Sequence, residues 1–330
     1  MNKIISILVP AYNEEQALRS LYKRLISVIG QIHTYDFEVL FVNDGSEDGT
    51  ISIIKSLREQ DSRVSFVDLS RNFGKEVAMI AGLDYAQGDA VIIIDADLQD
   101  PPELIPQMIQ YWEQGFDDVY AKRISRSGET WFKKWTSGNF YKVLQKLTSI
   151  PIQQDTGDFR LLDKRCVEAI KQLRESQRYT KGMFSWIGFN KKEILFDRDP
   201  RIAGETKWNY LKLIDLAIEG ITSFTTKPLR ISAGFGFAIS ICAFVFMLWI
   251  VFKTLAFGES VVGYPSLMAV ILFIGGIQLI FLGIIGEYLG RVFNETKRRP
   301  LYFVNEYNNS KVPVEIYIGG KKETKVYEKI

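Results

Sequence analysis

The first third of the chain alternates short apolar runs with longer segments of helical periodicity. The apolar runs are rich in β-branched residues, end at turn-forming residues and lie at 4–10, 37–42, 64–69 and 90–94. The helical patterns between them lie near 14–32, 50–60 and 76–86. Strands that are apolar almost throughout, each followed by a helix, predict an α/β domain with a mostly parallel sheet that is covered on both faces.

Two long uncharged stretches follow in the last third of the chain. Residues 231–252 and 260–286 contain no Asp, Glu, Lys or Arg. A helix formed by the 22 residues of the first stretch is about 33 Å long, which is enough to cross the hydrocarbon core of a bilayer. Buried core helices of a water-soluble protein are the alternative, but charge-free runs of this length favour two membrane spans.

Basic residues lie on the outer flanks of the two stretches. Lys227 and Arg230 precede the first, and Arg291 with the basic residues 297–299 follows the second, whereas the connection carries one Lys and one Glu. The positive-inside rule therefore predicts that both termini are cytoplasmic. The N-terminal residues turn polar too early for a signal peptide, so we expect none. The predicted units are a globular domain (1–200), a juxtamembrane segment (201–229), two transmembrane helices (230–293) and a C-terminal tail (294–330).

Composition argues against several classes of protein. The formal net charge of +2 provides no basic field for nucleic acid, so we predict no nucleic-acid partner. The two cysteines, Cys166 and Cys242, offer neither a disulfide framework nor a metal site, and His33 is the single histidine. No G-x-G-x-x-G follows a predicted strand and no G-x-x-x-x-G-K-[ST] occurs, which disfavours dinucleotide oxidoreductases and P-loop proteins.

Polar and acidic residues follow all four apolar runs, in the segments PAYNEE, NDGSEDGT, SRNFGKE and DADLQD. In parallel sheets these strand ends share one edge, where ligands bind. Asp95, Asp97 and Gln99 are spaced two apart, so they would point to one face if extended geometry continued. Oxygen ligands of this kind suit Mg²⁺ or Mn²⁺ bound together with a substrate phosphate. Solvated turn acids are the alternative interpretation.

These segments, in their order and spacing, resemble the inverting glycosyltransferases of family 2 with the GT-A fold. The resemblance rests on VPAYNEE, VNDGSEDGT, NFGKE, DADLQDPPE and DTGDFRL and spans about residues 5–210. It is greatest to polyprenyl-phosphate glycosyltransferases of the dolichyl-phosphate mannose synthase type, and with two C-terminal spans to the bacterial bactoprenol glucosyltransferases. It implies a GT-A catalytic domain at 1–200, an acceptor-phosphate loop with amphipathic helices at 201–229 and a multi-pass location in the inner (plasma) membrane.

The resemblance also implies roles for individual residues. The nucleotide sugar would be held by Pro10, Tyr12, Glu14, Asp44 and Asp95. The divalent cation, Mg²⁺ or Mn²⁺, would be bound by Asp95, Asp97 and Gln99. Asp97 and Asp158 would be the catalytic residues, with Asp158 as base or orienting group. The acceptor phosphate would be bound by Arg201, Thr206 and Lys207.

Two anionic reactants need further cations, and the segment AKRISRSGE supplies candidates in Arg123 and Arg126. A solvated mobile loop is the alternative for this segment. The aromatic and lysine-rich stretches 131–150 and 208–224 are expected to form amphipathic helices at the membrane surface. A helix packed on the globular domain is the alternative for 131–150. Gly286 and Gly290 form a G-x-x-x-G pattern, which suggests homo-oligomers through the transmembrane helices.

The activity implied by the resemblance is transfer of a hexose, expected to be glucose from UDP-glucose, onto undecaprenyl or another polyprenyl phosphate. A GDP-mannose-dependent mannosyltransferase and a non-catalytic, membrane-anchored nucleotide-sugar-binding protein are the alternatives. A processive polysaccharide synthase is disfavoured because its Q-x-x-R-W motif is absent from the chain.

Overall fold

The computed structural model describes residues 2–124, 156–176, 178, 180–196, 227–257, 263–308, 310–311, 314–318 and 321–325. Its strands are β1 (Ile4–Ala11), β2 (Asp36–Asn43), β3 (Val64–Leu69), β4 (Ala90–Ile93), β5 (Asp118–Arg123), β6 (Thr156–Asp163), β7 (Lys191–Phe196), β8 (Val304–Tyr307), β9 (Ser310–Lys311), β10 (Val314–Ile318) and β11 (Lys321–Lys325). Its helices are α1 (Leu18–Ile29), α2 (Thr50–Gln60), α3 (Lys75–Tyr85), α4 (Ile105–Glu113), α5 (Lys164–Gln172), α6 (Thr180–Trp186), α7 (Lys227–Phe257) and α8 (Tyr264–Thr296). The prediction of an α/β domain is confirmed.

The main sheet has the strand order β7-β5-β6-β4-β1-β2-β3-β8-β9. Strands β1 to β4 are mutually parallel, and β5 is parallel to β7, whereas β6 and β8 run antiparallel to their neighbours. The chain winds outward from β1 through β2 to β3 and then returns to place β4 on the other side of β1. The strand order reverses between β1 and β4, and such a switch point leaves a crevice at the carboxyl ends of the strands.

Helices cover both faces of this sheet, as the apolar strands require. One core packs α1, α2 and α4 against the sheet through side chains such as Leu21, Ile54 and Met108. The other core packs α3, α5 and α6 against the opposite face through Met79, Ile170 and Phe184. Strands β1 to β4 are buried from both sides over most of their length. Their polar segments therefore lie mainly beyond the strand ends, where the candidate site lies.

The first helix is shorter than the pattern predicts. The periodicity indicates a helix near 14–32, but α1 begins at Leu18. Asn13 has a left-handed φ of 56°, and the backbone N–H of Glu14 donates to Thr50 Oγ1 at 2.9 Å. The residues before α1 are therefore held in a loop by contacts with the loop that follows β2, which a local pattern does not contain.

A buried ion pair joins β5 to β6. Arg160 and Asp118 are 0% exposed, and Arg160 Nη1 lies 3.1 Å from Asp118 Oδ2. The guanidinium of Arg160 also lies 3.8 Å from the ring centroid of Phe184. Burial raises the pKa of Asp118, and the charges of Arg160 and Lys191 oppose that shift only in part. The pair is therefore a structural element of the strands that lead to Asp158.

Asp118→Asn is expected to lower the free energy of unfolding by about 3–5 kcal/mol, because it leaves a buried guanidinium without its carboxylate. Denaturant unfolding of the purified chain measures the change. Glu193→Gln is the control, since Glu193 pairs with Lys122 at 2.8 Å on the exposed surface of the adjoining strands. This substitution should lower the free energy of unfolding by less than about 1 kcal/mol. Equal losses for the two variants would contradict the prediction.

The segment after α8 returns to the main sheet. Strand β8 pairs antiparallel with β3, and Asn308 Oδ1 accepts a hydrogen bond from the Phe66 N–H at 2.8 Å. The hydroxyl of Tyr302 donates to Asp84 at 2.6 Å, and Glu295 Oε1 accepts from the Ser176 N–H at 2.7 Å. The predicted C-terminal tail, 294–330, thus adds strands to the N-terminal sheet and ties the end of α8 to it. Strands β10 and β11 form a separate antiparallel hairpin.

Helices α7 and α8 expose large apolar side chains along their length, among them Phe237, Phe252, Phe273 and Leu279. Within the part of the chain that the structure describes, Phe273–Thr296 is the one segment long and apolar enough to cross a membrane, and its apolar window is not buried. The shorter apolar stretch of α7 is Ile231–Phe246. The alternative of a buried core helix is therefore wrong for α8. The described residues support one of the two predicted spans, so the predicted multi-pass arrangement is not supported.

Candidate active site at the switch point

The loops after β1 and β2 are joined by hydrogen bonds from both sides. The Asn13 N–H donates to Ser46 Oγ at 3.0 Å, and Asn13 Oδ1 accepts from the Glu47 N–H at 2.9 Å. The Glu15 carboxylate accepts from the Gly49 N–H at 2.8 Å. The motifs PAYNEE and NDGSEDGT thus form one continuous surface at the carboxyl edge of the sheet.

The predicted nucleotide-binding residues take different positions on this surface. Pro10 is buried within β1, and Glu14 is half-buried in the loop that follows. Tyr12, which lies between them, has an open side chain that is 42% exposed. Of these three residues, Tyr12 therefore has the side chain that is most open to contact with a ligand.

Asp44 supports the loop that follows β3. It is only 3% exposed, and its two carboxylate oxygens accept hydrogen bonds from the backbone N–H groups of Phe73 and Gly74 at 2.8 and 2.9 Å. Burial raises the pKa of Asp44, while these two N–H groups and the charge of Arg71 oppose the shift. In this structure the carboxylate of Asp44 holds the loop in place, and its predicted contact with a nucleotide stays a prediction.

Gly45 brings the second and third loops into direct contact. Its φ is 65°, and a Cβ added there would lie 2.3 Å from the carbonyl carbon of Arg71 and 2.5 Å from the backbone nitrogen of Asn72. Only glycine fits a positive φ with neighbouring backbone so close. The position of the SRNFGKE loop therefore depends on this residue.

Lys75, the first residue of α3, joins three parts of the site. Its Nζ lies 2.6 Å from Asp95 Oδ1 and 2.6 Å from Asp158 Oδ2. Burial by itself lowers the pKa of Lys75, but the Asp95 and Asp158 carboxylates outweigh it and hold the pKa above its ordinary value. The structure thus brings the predicted residues Asp95 and Asp158 together with Lys75, which sequence analysis does not identify as a site residue. Lys75 belongs to the NFGKE motif, and this motif is the sequence signal that could have identified it.

The DADLQD segment does not continue as a strand. Strand β4 ends at Ile93, Leu98 has a φ of 61° with a buried side chain, and Asp97 Oδ1 accepts the Gln99 N–H at 3.1 Å. The expectation that Asp95, Asp97 and Gln99 form one extended row is therefore wrong. The chain turns because Leu98 enters the core, which leaves Asp97 half-buried and Gln99 buried.

The donor atoms of this turn suit a divalent cation by their chemistry. Among the described residues, no three His, Cys, Asp or Glu side chains gather into a group that could hold a metal. The carboxylates of Asp95 and Asp158 nevertheless converge on one positive charge, the Lys75 ammonium. Hard oxygen ligands at such a point fit Mg²⁺ or Mn²⁺ once that ammonium is shared or displaced.

One predicted acceptor-binding residue lies within the described site. Arg123 ends β5, and its Nη2 stands 3.7 Å from the position of a Cβ on Gly157, next to Asp158. Lys122 also belongs to β5 rather than to the loop after it. Arg126, Arg201, Thr206 and Lys207 lie outside the described residues, as do both predicted amphipathic segments, 131–150 and 208–224.

Comparison with known families agrees with this arrangement. Residues 6–171 match the family described as glycosyl transferase family 2, and residues 227–292 match the GtrB C-terminal hairpin. The first match covers β1 to β6, with the acids of the site, and the second covers most of α7 and α8. The α/β GT-A fold expected from the resemblance is confirmed.

Curated proteins are similar over nearly the whole chain. An uncharacterized glycosyltransferase of Synechocystis sp. is 50% identical over 302 residues, which are 92% of this chain and 95% of that one. The bactoprenol glucosyl transferase of Shigella phage SfV is 46% identical over 300 residues, 91% of this chain and 97% of its own. Among solved structures, mannosyl-3-phosphoglycerate synthase from Rubrobacter xylanophilus has a TM-score of 0.45 at 16% identity, covering 66% of this chain and 71% of its own. The chain belongs to glycosyl transferase family 2 and carries the GtrB C-terminal hairpin.

Proposed function

We propose that this protein is a membrane-bound, inverting glycosyltransferase that moves glucose from UDP-glucose onto undecaprenyl phosphate or a related polyprenyl phosphate. The observation that carries the proposal is the convergence of Asp95, Lys75 and Asp158 at the switch point of the sheet. Relatives named bactoprenol glucosyl transferases, at 46% identity, support the choice of sugar and lipid.

The donor binds on the joined loops at the carboxyl edge. The exposed ring of Tyr12 offers an apolar face for the nucleotide base, because aromatic side chains contact flat ring systems favourably. Glu14 and Asp44 border the same surface. The diphosphate of the donor then extends toward Asp95 at the end of β4.

The transfer itself is a displacement at the anomeric carbon. An anionic oxygen of the lipid phosphate attacks that carbon from the face opposite the diphosphate. The bond between the carbon and the diphosphate oxygen breaks, and UDP leaves with the bonding electrons. A phosphomonoester has a second pKa of about 6 and is largely dianionic at neutral pH, so Asp158 has no proton to remove. Asp158 instead orients the incoming groups, with Arg123 beside it as a counter-charge for phosphate.

A divalent cation completes the site. Asp95 and Asp97, with Gln99 in the same turn, would hold Mg²⁺ or Mn²⁺. When bound, such an ion stabilises the negative charge that develops on the departing diphosphate.

The C-terminal helices support a location of the site at the membrane. Helix α8 contains the candidate span Phe273–Thr296, and its 33 residues are about 50 Å long, sufficient for a bilayer span. Their exposed apolar side chains suit contact with lipid. Basic residues at the start of α7 and the end of α8 then set both termini, and the catalytic domain, on the cytoplasmic side.

A sugar-transfer assay tests the proposal. Purified protein in detergent is incubated with undecaprenyl phosphate, Mg²⁺ and either radiolabelled UDP-glucose or radiolabelled GDP-mannose. Label is expected in the lipid phase with UDP-glucose. Label from GDP-mannose alone would make the protein a mannosyltransferase. Absence of labelled lipid with either donor, from folded protein that binds nucleotide, would favour a non-catalytic nucleotide-sugar-binding protein.

Removal of the divalent cation is expected to abolish transfer. EDTA should reduce the labelled lipid to the background of a protein-free control, and added Mg²⁺ or Mn²⁺ should restore it, because the leaving diphosphate then regains its charge stabilisation. Full activity in EDTA would contradict the proposed role of Asp95 and Asp97.

A further inference from the structure

We propose that Lys75 is a positioning residue that shares Asp95 with the divalent cation, so that cation binding moves the Lys75 ammonium from Asp95 to Asp158. The inference rests on the proposed function, since it assumes that Asp95 binds the cation. In this inference the cation binds first. The Lys75 ammonium then pairs with Asp158 alone instead of being shared with Asp95.

The contacts of Lys75 show why it competes with a cation. One ammonium group lies against both oxygens of Asp95: Nζ is 2.6 Å from Oδ1 and donates a hydrogen bond to Oδ2 at 2.8 Å. A Mg²⁺ ion binds carboxylate oxygen at about 2.1 Å, so it would occupy the space next to the same oxygens. Two positive charges that close repel strongly in a partly desolvated site. Lys75 therefore has to give up at least part of its contact with Asp95.

Asp158 provides the position to which Lys75 moves. Its Oδ2 already lies 2.6 Å from Lys75 Nζ, and the Asp158 side chain is only 14% exposed. A small rotation of the lysine end would concentrate the ammonium on Asp158 without breaking that contact. The 44% exposed side chain of Lys75 has room for such a change. The cation thereby fixes the Asp158 carboxylate, although it need not touch that residue.

The backbone under Lys75 stays fixed during this exchange. Gly74, with a φ of 96°, donates its N–H to the buried Asp44. On the other side, the carboxylate of Glu76 accepts the Thr180 N–H at 3.3 Å. Because both neighbours are anchored, the movement is confined to the side chain of Lys75. It changes only how the ammonium is shared between Asp95 and Asp158.

Binding of Mn²⁺ alone tests the inference. The full chain in detergent is titrated with Mn²⁺ without nucleotide, and free Mn²⁺ is followed by electron paramagnetic resonance. Lys75→Met is expected to bind Mn²⁺ roughly tenfold more tightly than the unaltered protein, because a competing positive charge has been removed. Lys75→Arg, which keeps the charge, should remain close to the unaltered protein. Asp95→Asn should weaken binding in both backgrounds.

Lys55→Met is the matched control. Lys55 makes a comparable ion pair, with Nζ 2.7 Å from Glu306 Oε2, but its partner belongs to β8 and not to the candidate site. Its loss should leave Mn²⁺ affinity unchanged. Lys75→Gln provides a second uncharged variant in case Lys75→Met does not fold, and the same tightening is expected. Unchanged or weaker Mn²⁺ binding by the folded, uncharged variant would overturn the inference.

Turnover separates this inference from the proposed function. With UDP-glucose, Lys75→Met should lower kcat by roughly 100-fold through misplacement of Asp158, while the KM for the donor changes little. If Lys75→Met binds Mn²⁺ more tightly but the unaltered protein transfers no sugar, the exchange is supported and the proposed reaction is refuted. Normal kcat in Lys75→Met would refute the positioning of Asp158.

Discussion

Asp158→Asn is expected to lower kcat for sugar transfer by at least about 100-fold and to leave the affinity for UDP within about twofold. The asparagine keeps the shape of the side chain but removes the negative charge that faces Lys75 at 2.6 Å. Asp158 lies on β6 and not on the first two loops, where the nucleotide is proposed to bind. A loss confined to kcat reports an interaction that matters in the transition state rather than in donor binding.

Initial-rate kinetics and calorimetric titration with UDP measure the two quantities. Asp89→Asn is the control, because Asp89 precedes β4 at the opposite end of that strand, where it lies 3.9 Å from Lys164; its activity should be unchanged. If Asp158→Asn lost UDP binding in proportion to its activity, Asp158 would belong to the donor site. If kcat were unchanged, the proposed centre would be misplaced.

Gly45→Ala is expected to reduce both stability and activity far more than Gly115→Ala. Both glycines have positive φ, 65° and 93°, so each substitution brings a similar backbone strain of about 1 kcal/mol. They differ in their surroundings. A Cβ at Gly45 would lie 2.3 Å from backbone atoms of Arg71, whereas a Cβ at Gly115 has nothing within 4 Å. Backbone cannot rotate aside as a side chain can, so the SRNFGKE loop has to shift.

We expect the free energy of unfolding of Gly45→Ala to be at least about 2 kcal/mol lower than that of Gly115→Ala, by analogy with other overpacked sites. The transfer rate of Gly45→Ala should fall by more than about tenfold, because Lys75 is displaced. Denaturant unfolding and the transfer assay measure the two effects. Equal behaviour of the two variants would mean that the contact between the second and third loops does not set the site.

The sheet and its flanking helices could be predicted from the local sequence pattern, because strands that are buried on both faces must be apolar almost throughout. Strand β3 has the predicted bounds, 64–69, and α2 has the predicted bounds, 50–60. The carboxyl edge was predictable for the same reason: the polar segments follow these apolar strands instead of interrupting them. Helix α1 departs from its pattern at the N-terminal end because the residues before it are hydrogen-bonded to the loop after β2 and to the start of α2.

The interior of the site needed tertiary structure. Lys75 and Asp158 are far apart in sequence, and only the insertion of β6 beside β4 brings them into contact. The turn in DADLQD depends on a left-handed Leu98, a conformation that β-pattern reasoning does not anticipate for leucine. Pairing of β8 with β3 across the C-terminal helices was equally hidden, because VNEY is a short, polar strand whose partner lies far upstream.

The proposed reaction joins one hexose to a polyprenyl phosphate with inversion at the anomeric carbon. Analysis of the product examines both features at once: the lipid recovered after incubation with UDP-glucose is studied by mass spectrometry and by NMR of the anomeric centre. We expect a phosphodiester that carries a single hexose in the configuration opposite to that of the donor. Retained configuration, several sugars on each lipid, or free glucose beside unmodified lipid would contradict it.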